Sequence, residues 1–203
     1  MKSTLRSRPG SVSILLLGAI ALILLEGCQK PAPPEPSPIE RGKYLVTIMG
    51  CSDCHSPKVI DPNLGPMPDT TKLLSGNTEG FPYPTWSLTD LMMRNMMACT
   101  NVHMTAWAGP WGVSFAANLT PDKETGLGEW TEEAFIQAIR TGKHQGQPNG
   151  RQILPPMPWP MVRQASDADL KAIWAYLRSI PPIKNQVSLP VPPSQEDVGA
   201  LKQ

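Results

Sequence analysis

The sequence predicts an all-α fold of three main helices joined by long irregular loops. Three amphipathic segments carry legible starts and stops, and no alternating apolar–polar run stands out between them. Proline, at 24 of 203 residues, is more than twice its usual share of about 5%. A chain of this length suits one domain with tails.

The first helix opens at Ser37-Pro38-Ile39-Glu40. Ser37 caps, Pro38 suits the first helical position and Glu40 completes a capping box. Tyr44, Leu45 and Ile48 then fall on one face. The second helix starts at Thr131 with Glu132 and Glu133 in its first turn, buries Phe135, Ala138 and Ile139, and ends at Gly142. The third starts at Ser166, carries Leu170, Ile173, Trp174 and Leu177 at helical spacing, and stops at Pro181-Pro182. The stretches between, 56–130 and 143–165, are rich in Pro, Gly and Asn. Three short helices bury too little apolar surface to order them, at roughly 1–2 kcal/mol of backbone entropy per residue. Something large and apolar, other than a side chain, is needed to complete the core.

Eighteen basic residues against 17 acidic, a net charge of +1, leave no electrostatic footprint for nucleic acid, and none is expected as a partner. Four cysteines are too few for a disulfide scaffold of this size. At the N-terminus Lys2, Arg6 and Arg8 precede an apolar run from Val12 to Leu25, with Gly27-Cys28 after it. That is the order of a secretory signal, and the run is shorter than the roughly 20 residues a spanning helix needs. Leu25-Glu26-Gly27-Cys28 is similar to a bacterial lipobox, which implies a lipid on Cys28; an uncleaved signal anchor is the alternative. Residues 1–27 are read as the signal, 28–37 as a Pro-rich linker, 38–184 as the domain with 60–112 as an inserted segment, and 185–203 as a tail. Removing 1–27 leaves 15 basic residues against 16 acidic, so a lipid or signal anchor, not charge, would hold the domain on the periplasmic side of a membrane.

The chemistry sits at Cys51-Ser52-Asp53-Cys54-His55, the C-x-x-C-H pattern of covalent haem attachment. On one helical turn Cys51, Cys54 and His55 share a face. Both thiols can then form thioethers with the haem vinyls while the imidazole reaches the iron. One haem c also supplies the missing apolar bulk. The rival is structural zinc, with Cys99 and His103 completing a Cys₃His set. Zinc does not require a histidine directly after the second cysteine, and a disulfide between Cys51 and Cys54 would leave His55 unexplained.

Further segments carry a resemblance: Arg41-Gly42-Lys43-Tyr44-Leu45, Asn118-Leu119-Thr120-Pro121-Asp122, Glu124-Thr125-Gly126-Leu127-Gly128 with Trp130-Thr131, Ala138-Ile139-Arg140-Thr141-Gly142, Pro155-Pro156-Met157-Pro158-Trp159 and Asp169–Leu177. With Cys51–His55 they make the chain similar to the bacterial monohaem cytochromes c, in the group that includes cytochrome subunits of membrane alcohol and gluconate dehydrogenases. The resemblance covers 39–58 and about 113–184. It implies a cytochrome c-like fold, with the three helices around one covalent haem.

A low-spin electron carrier needs a second axial ligand. Met157 lies among four prolines and a tryptophan in Pro155–Pro160, where proline excludes helix and stiffens the loop. The resemblance places the ligand at this same methionine, and a thioether raises the potential relative to bis-His ligation. His103 is the competitor, because the inserted segment could fold it over the haem; Met161 is a weaker one. The pairs Met92-Met93 and Met96-Met97 read as core or partner surface. Trp86, Trp107, Trp111, Trp130 and Trp159 are candidates to line the haem crevice, and Arg140 or Arg151 to meet a propionate.

With both axial positions filled, the iron's remaining work is one-electron exchange, so the chain reads as an electron carrier and not an enzyme. Its expected partners are redox proteins: a dehydrogenase, an oxidase or a larger respiratory complex, with the insert and tail as the docking surface. A haem enzyme or gas sensor with an open sixth site, and a zinc-stabilised adaptor, are the alternatives.

Overall fold

The computed structural model describes residues 34–83, 90–91 and 94–194. The expected export signal 1–27, Cys28 as the expected lipid site, Trp86, Met92, Met93 and residues 195–203 lie outside the described residues.

Helix α1, Pro38–Ile48, begins as its sequence requires. The Ser37 side chain accepts from the Glu40 N–H and the Glu40 carboxylate accepts from the Ser37 N–H, so the capping box closes. Its buried face is Gly42, Leu45 and Val46. Tyr44 and Ile48, assigned to that face from sequence, are 54% and 58% exposed. The reason is Gly42, which carries no apolar side chain to mark the stripe but sits where a second helix crosses.

That helix is α5, Asp167–Ser179, capped by Ser166 through the Asp169 N–H. It buries Leu170, Ile173, Trp174 and Leu177. A Cβ at Gly42 would overlap the Ala172 carbonyl oxygen and stand 2.8 Å from Tyr176 Cβ, so the backbones meet only because glycine is there. Arg41 pairs with Asp169 at 2.9 Å across the crossing and holds that carboxyl below its usual range, together with the Ser166 hydroxyl. Helix α3, Glu132–Thr141, is capped by Thr131 and packs Phe135 and Ile139 into the same core, with Phe135 and Trp174 rings 5.4 Å apart. A short α4, Trp159–Val162, precedes α5.

The all-α expectation is wrong. Five helices, counting the one-turn α2 at Cys51–His55, stand among two small antiparallel sheets in the described residues. Strands β1, Lys58–Asp61, and β2, Gly65–Pro68, form a hairpin in the register Val59↔Met67 and Ile60↔Pro66. Strands β3, Cys99–Thr100, β4, Ala106–Gly109, and β5, Gly112–Phe115, form the second sheet. These strands escape a periodicity reading for physical reasons. They run two to four residues each. Val59 and Ile60 are both exposed, so the first hairpin has no apolar–polar alternation, and Pro66 and Pro68 sit in its second strand. The second sheet buries mostly small residues, Ala106, Ala108 and Ser114, with Val113 its one buried β-branched residue among the described residues.

The insert also feeds the core, since Leu74 is fully buried within it. The start of the tail is part of the fold: Val191 pairs with Val113 through bonds of 2.8 and 2.9 Å, closing the open edge of β5.

Gly42→Ala is expected to lower unfolding free energy by about 2–3 kcal/mol, the cost of overpacking a tight contact. Thermal melts of the full chain check this, and an unchanged melting temperature would show that the α1–α5 crossing has slack.

Candidate functional site

Helix α1 ends at Ile48, the chain turns through Gly50, and α2, Cys51–His55, is a single helical turn. The three motif side chains therefore lie on one turn, as their spacing predicts. All are half-buried, and Cys51 packs against the main core. Burial pushes the Cys51 thiol up to about 11 and raises that of Cys54. Both cysteines are free thiols in the described structure.

The His55 ring bonds the backbone through Nδ1. Its Nδ1 lies 2.8 Å from the Ala117 carbonyl oxygen. A carbonyl only accepts, so Nδ1 carries the proton and Nε2 keeps its lone pair. Burial pulls the His55 pKa below its ordinary value, which keeps the ring neutral. A neutral imidazole with Nδ1–H satisfied and Nε2 free is the form that binds iron.

Lys58 is a functional neighbour that the sequence reading missed. Its Nζ donates to the carbonyls of Asp53 and Ser56, the latter at 2.9 Å, and to that of Ser52 at 3.3 Å. These are the orphan carbonyls at the C-terminal end of α2, where a cation is favourable. The signal available was a lysine three residues beyond the motif.

Met157 is half-buried and packs against the same core cluster as Cys51. Its loop is fastened from outside: Trp111 Nε1–H donates to Ser114 Oγ at 3.2 Å, and the Ser114 hydroxyl donates to the Pro155 carbonyl. Met161 is 70% exposed. His103 is committed elsewhere. Its Nδ1 accepts from the Lys58 N–H at 2.9 Å, so in the neutral ring the proton sits on Nε2, and the ring packs edge-on against Phe81. Cys99 lies on β3 opposite Ala108. Among the described residues no three His, Cys, Asp or Glu side chains are grouped to hold a metal ion, so the Cys₃His set is not assembled.

The tryptophans divide. Trp107 donates to the Met104 carbonyl at 2.9 Å, Trp130 packs on the core edge-on to His144, and the Trp159 ring lies against Gly142. Arg140 bonds Asp167 and the Arg163 carbonyl, tying α3 to the start of α5, and is spoken for as a propionate partner.

Two free thiols on one turn and a neutral imidazole with an open Nε2 fit a covalently attached haem. The cytochrome c family profile matches residues 39–181. The chain belongs to the cytochrome c family. Similar proteins include the gluconate 2-dehydrogenase cytochrome c subunit of Pantoea cypripedii, 28% identical over 82% of this chain and 27% of that protein. The cytochrome c subunit of the quinone-dependent alcohol dehydrogenase of Gluconobacter oxydans is 32% identical over 48% of this chain and 22% of its own. The fructose dehydrogenase cytochrome subunit of Gluconobacter japonicus is 26% identical over 77% of this chain and 26% of its own. This cytochrome thus spans between 22% and 27% of the length of these curated relatives. The family's cofactor is haem c, and Cys51 and Cys54 stand in its attachment motif. When bound, haem c supplies a reversible one-electron iron couple.

The cytochrome should keep its pigment after acid denaturation. Intact-mass measurement of the Cys51→Ala/Cys54→Ala double variant should show the loss of one tetrapyrrole; a retained adduct would place the linkage on other residues.

Proposed function

We propose that this cytochrome is an exported, membrane-tethered carrier that passes single electrons between a dehydrogenase centre and a further redox protein, with His55 and Met157 as the iron's axial ligands. The observation that carries the ligand assignment is the division of labour between the two histidines. His55 offers a free Nε2 lone pair behind a bonded Nδ1–H, whereas the Nδ1 of His103 is already an acceptor. Packing of Met157 on the core that also receives Cys51 supports it as the second ligand in this reading.

A dehydrogenase partner is supported by the relatives, which are cytochrome subunits of gluconate, alcohol and fructose dehydrogenases. The insert supports a protein-binding role of its own, exposing Ile60, Leu64, Met97 and Val102 to between 71% and 79%. Exposed apolar side chains are the chemistry a partner surface uses. The tethering reading rests on the sequence: the basic start, the Val12–Leu25 run and Cys28. Among the described residues no helix is long and apolar enough to cross a membrane.

Met157→Ala should lower the midpoint potential and let the reduced protein bind carbon monoxide rapidly, while His103→Ala should leave the visible spectrum unchanged. An unaltered spectrum in the Met157 variant would move the ligand to another residue; rapid carbon monoxide binding by the wild type would favour a haem enzyme or gas sensor.

Cys28→Ser should release the protein from the membrane fraction into the soluble periplasmic fraction. Retention in the membrane would favour an uncleaved signal anchor.

A further inference from the structure

The Ala117 carbonyl that accepts the His55 Nδ1–H hydrogen bond is itself held by an arrangement reaching to the tail. Residue 117 lies in the stretch 116–119, which runs against the turn 74–77. Asn77 N–H donates to the Ala116 carbonyl at 2.9 Å and Leu119 N–H to the Leu74 carbonyl at 2.8 Å. Between them Gly76, at φ 82°, donates its N–H to the His55 carbonyl at 2.8 Å. A Cβ on Gly76 would stand 2.6 Å from Ala117 C and 2.7 Å from Asn118 N, so the two stretches touch at the peptide that bonds His55.

Asn185 grips this turn from the far side. Its Nδ2 donates to the Ser75 carbonyl at 2.7 Å and the Asn77 carbonyl at 2.8 Å, straddling Gly76. Its Oδ1 accepts from the Glu79 N–H at 3.1 Å, and its own N–H donates to Thr125 Oγ1 at 3.0 Å. Thr125 Oγ1 also accepts from Asn118 Nδ2, which donates in addition to the Ile183 carbonyl at 2.8 Å. The tail thus clamps both the turn that carries Gly76 and the residue next to Ala117.

We propose that Asn185 is a positioning residue for the iron: by pressing the Gly76 turn onto the 117–118 peptide, it holds the Ala117 carbonyl at hydrogen-bonding distance from His55 Nδ1. The inference rests on His55 being an iron ligand. A firm Nδ1–H···O=C bond raises the basicity of Nε2 and favours ferric iron; a loosened one favours ferrous iron.

The test uses the haem-loaded full chain. Asn185→Ala should raise the midpoint potential and speed exchange of the His55 Nδ1 proton, followed by NMR of the reduced protein, with the low-spin spectrum retained. Lys184→Ala, which removes the neighbouring ion pair to Glu124, should move neither. An Asn185→Ala protein with the wild-type potential and exchange rate, and only a lower melting temperature, would overturn the proposal. Should that variant yield no haem-loaded protein, Asn185→Ser, which keeps a hydroxyl donor, is read by the same two measurements, and wild-type values there would overturn it too. A wild-type His55 Nδ1–H resonance without the ring-current displacement of an imidazole beneath a porphyrin would instead remove the ligand assignment beneath it.

Discussion

One hydrogen bond organises the site: His55 Nδ1–H to the Ala117 carbonyl. A buried imidazole can bond through only one nitrogen and still present a lone pair on the other, so this contact fixes both the tautomer and the direction of the ring. Everything nearby keeps its two ends in place. From one side, α1 delivers Cys51–His55 at a position set by its crossing with α5 at Gly42. From the other, the insert and the 116–119 stretch meet at the bonded carbonyl.

Much of this was readable in advance because the signals were local. Ser37, Thr131 and Ser166 each supply a hydroxyl oxygen within reach of an N–H three residues on, a rule that needs no tertiary knowledge. The C-x-x-C-H turn is equally local, since its geometry is one turn of helix. What escaped the sequence depended on partners distant in the chain. Tyr44 looks like a core residue until Gly42 is seen to take the crossing, leaving Arg41 to lie over the tyrosine ring at 5.7 Å. The commitment of His103 is set by the Lys58 N–H, 45 residues away, and no spacing rule announces it.

The strands were hidden for a different reason. An alternating pattern arises when one sheet face is buried and the other wet. In the second sheet Gly112, Val113 and Ser114 are buried in succession, because the tail covers one flank at Val191 and the Pro155 loop bonds Ser114. In the first hairpin Val59 and Ile60 point to opposite faces and both reach solvent. Neither β5 nor the first hairpin produces period two, and β4, which does alternate in burial, carries its buried positions on alanine alone, so a reading based on period returns loop.

Charge and surface together constrain how such a carrier meets its partner. Steered encounter needs a field, and a chain carrying 18 basic and 17 acidic residues generates little beyond a Debye length of about 8 Å at physiological salt. Recognition then falls to surface chemistry at contact. The exposed chemistry of the insert is apolar at Ile60, Leu64, Met97 and Val102, while Lys58, just before it, is buried in capping the haem-attachment turn. An apolar surface of that kind gains more from being covered durably than from brief collisions, because its contribution scales with the area removed from water.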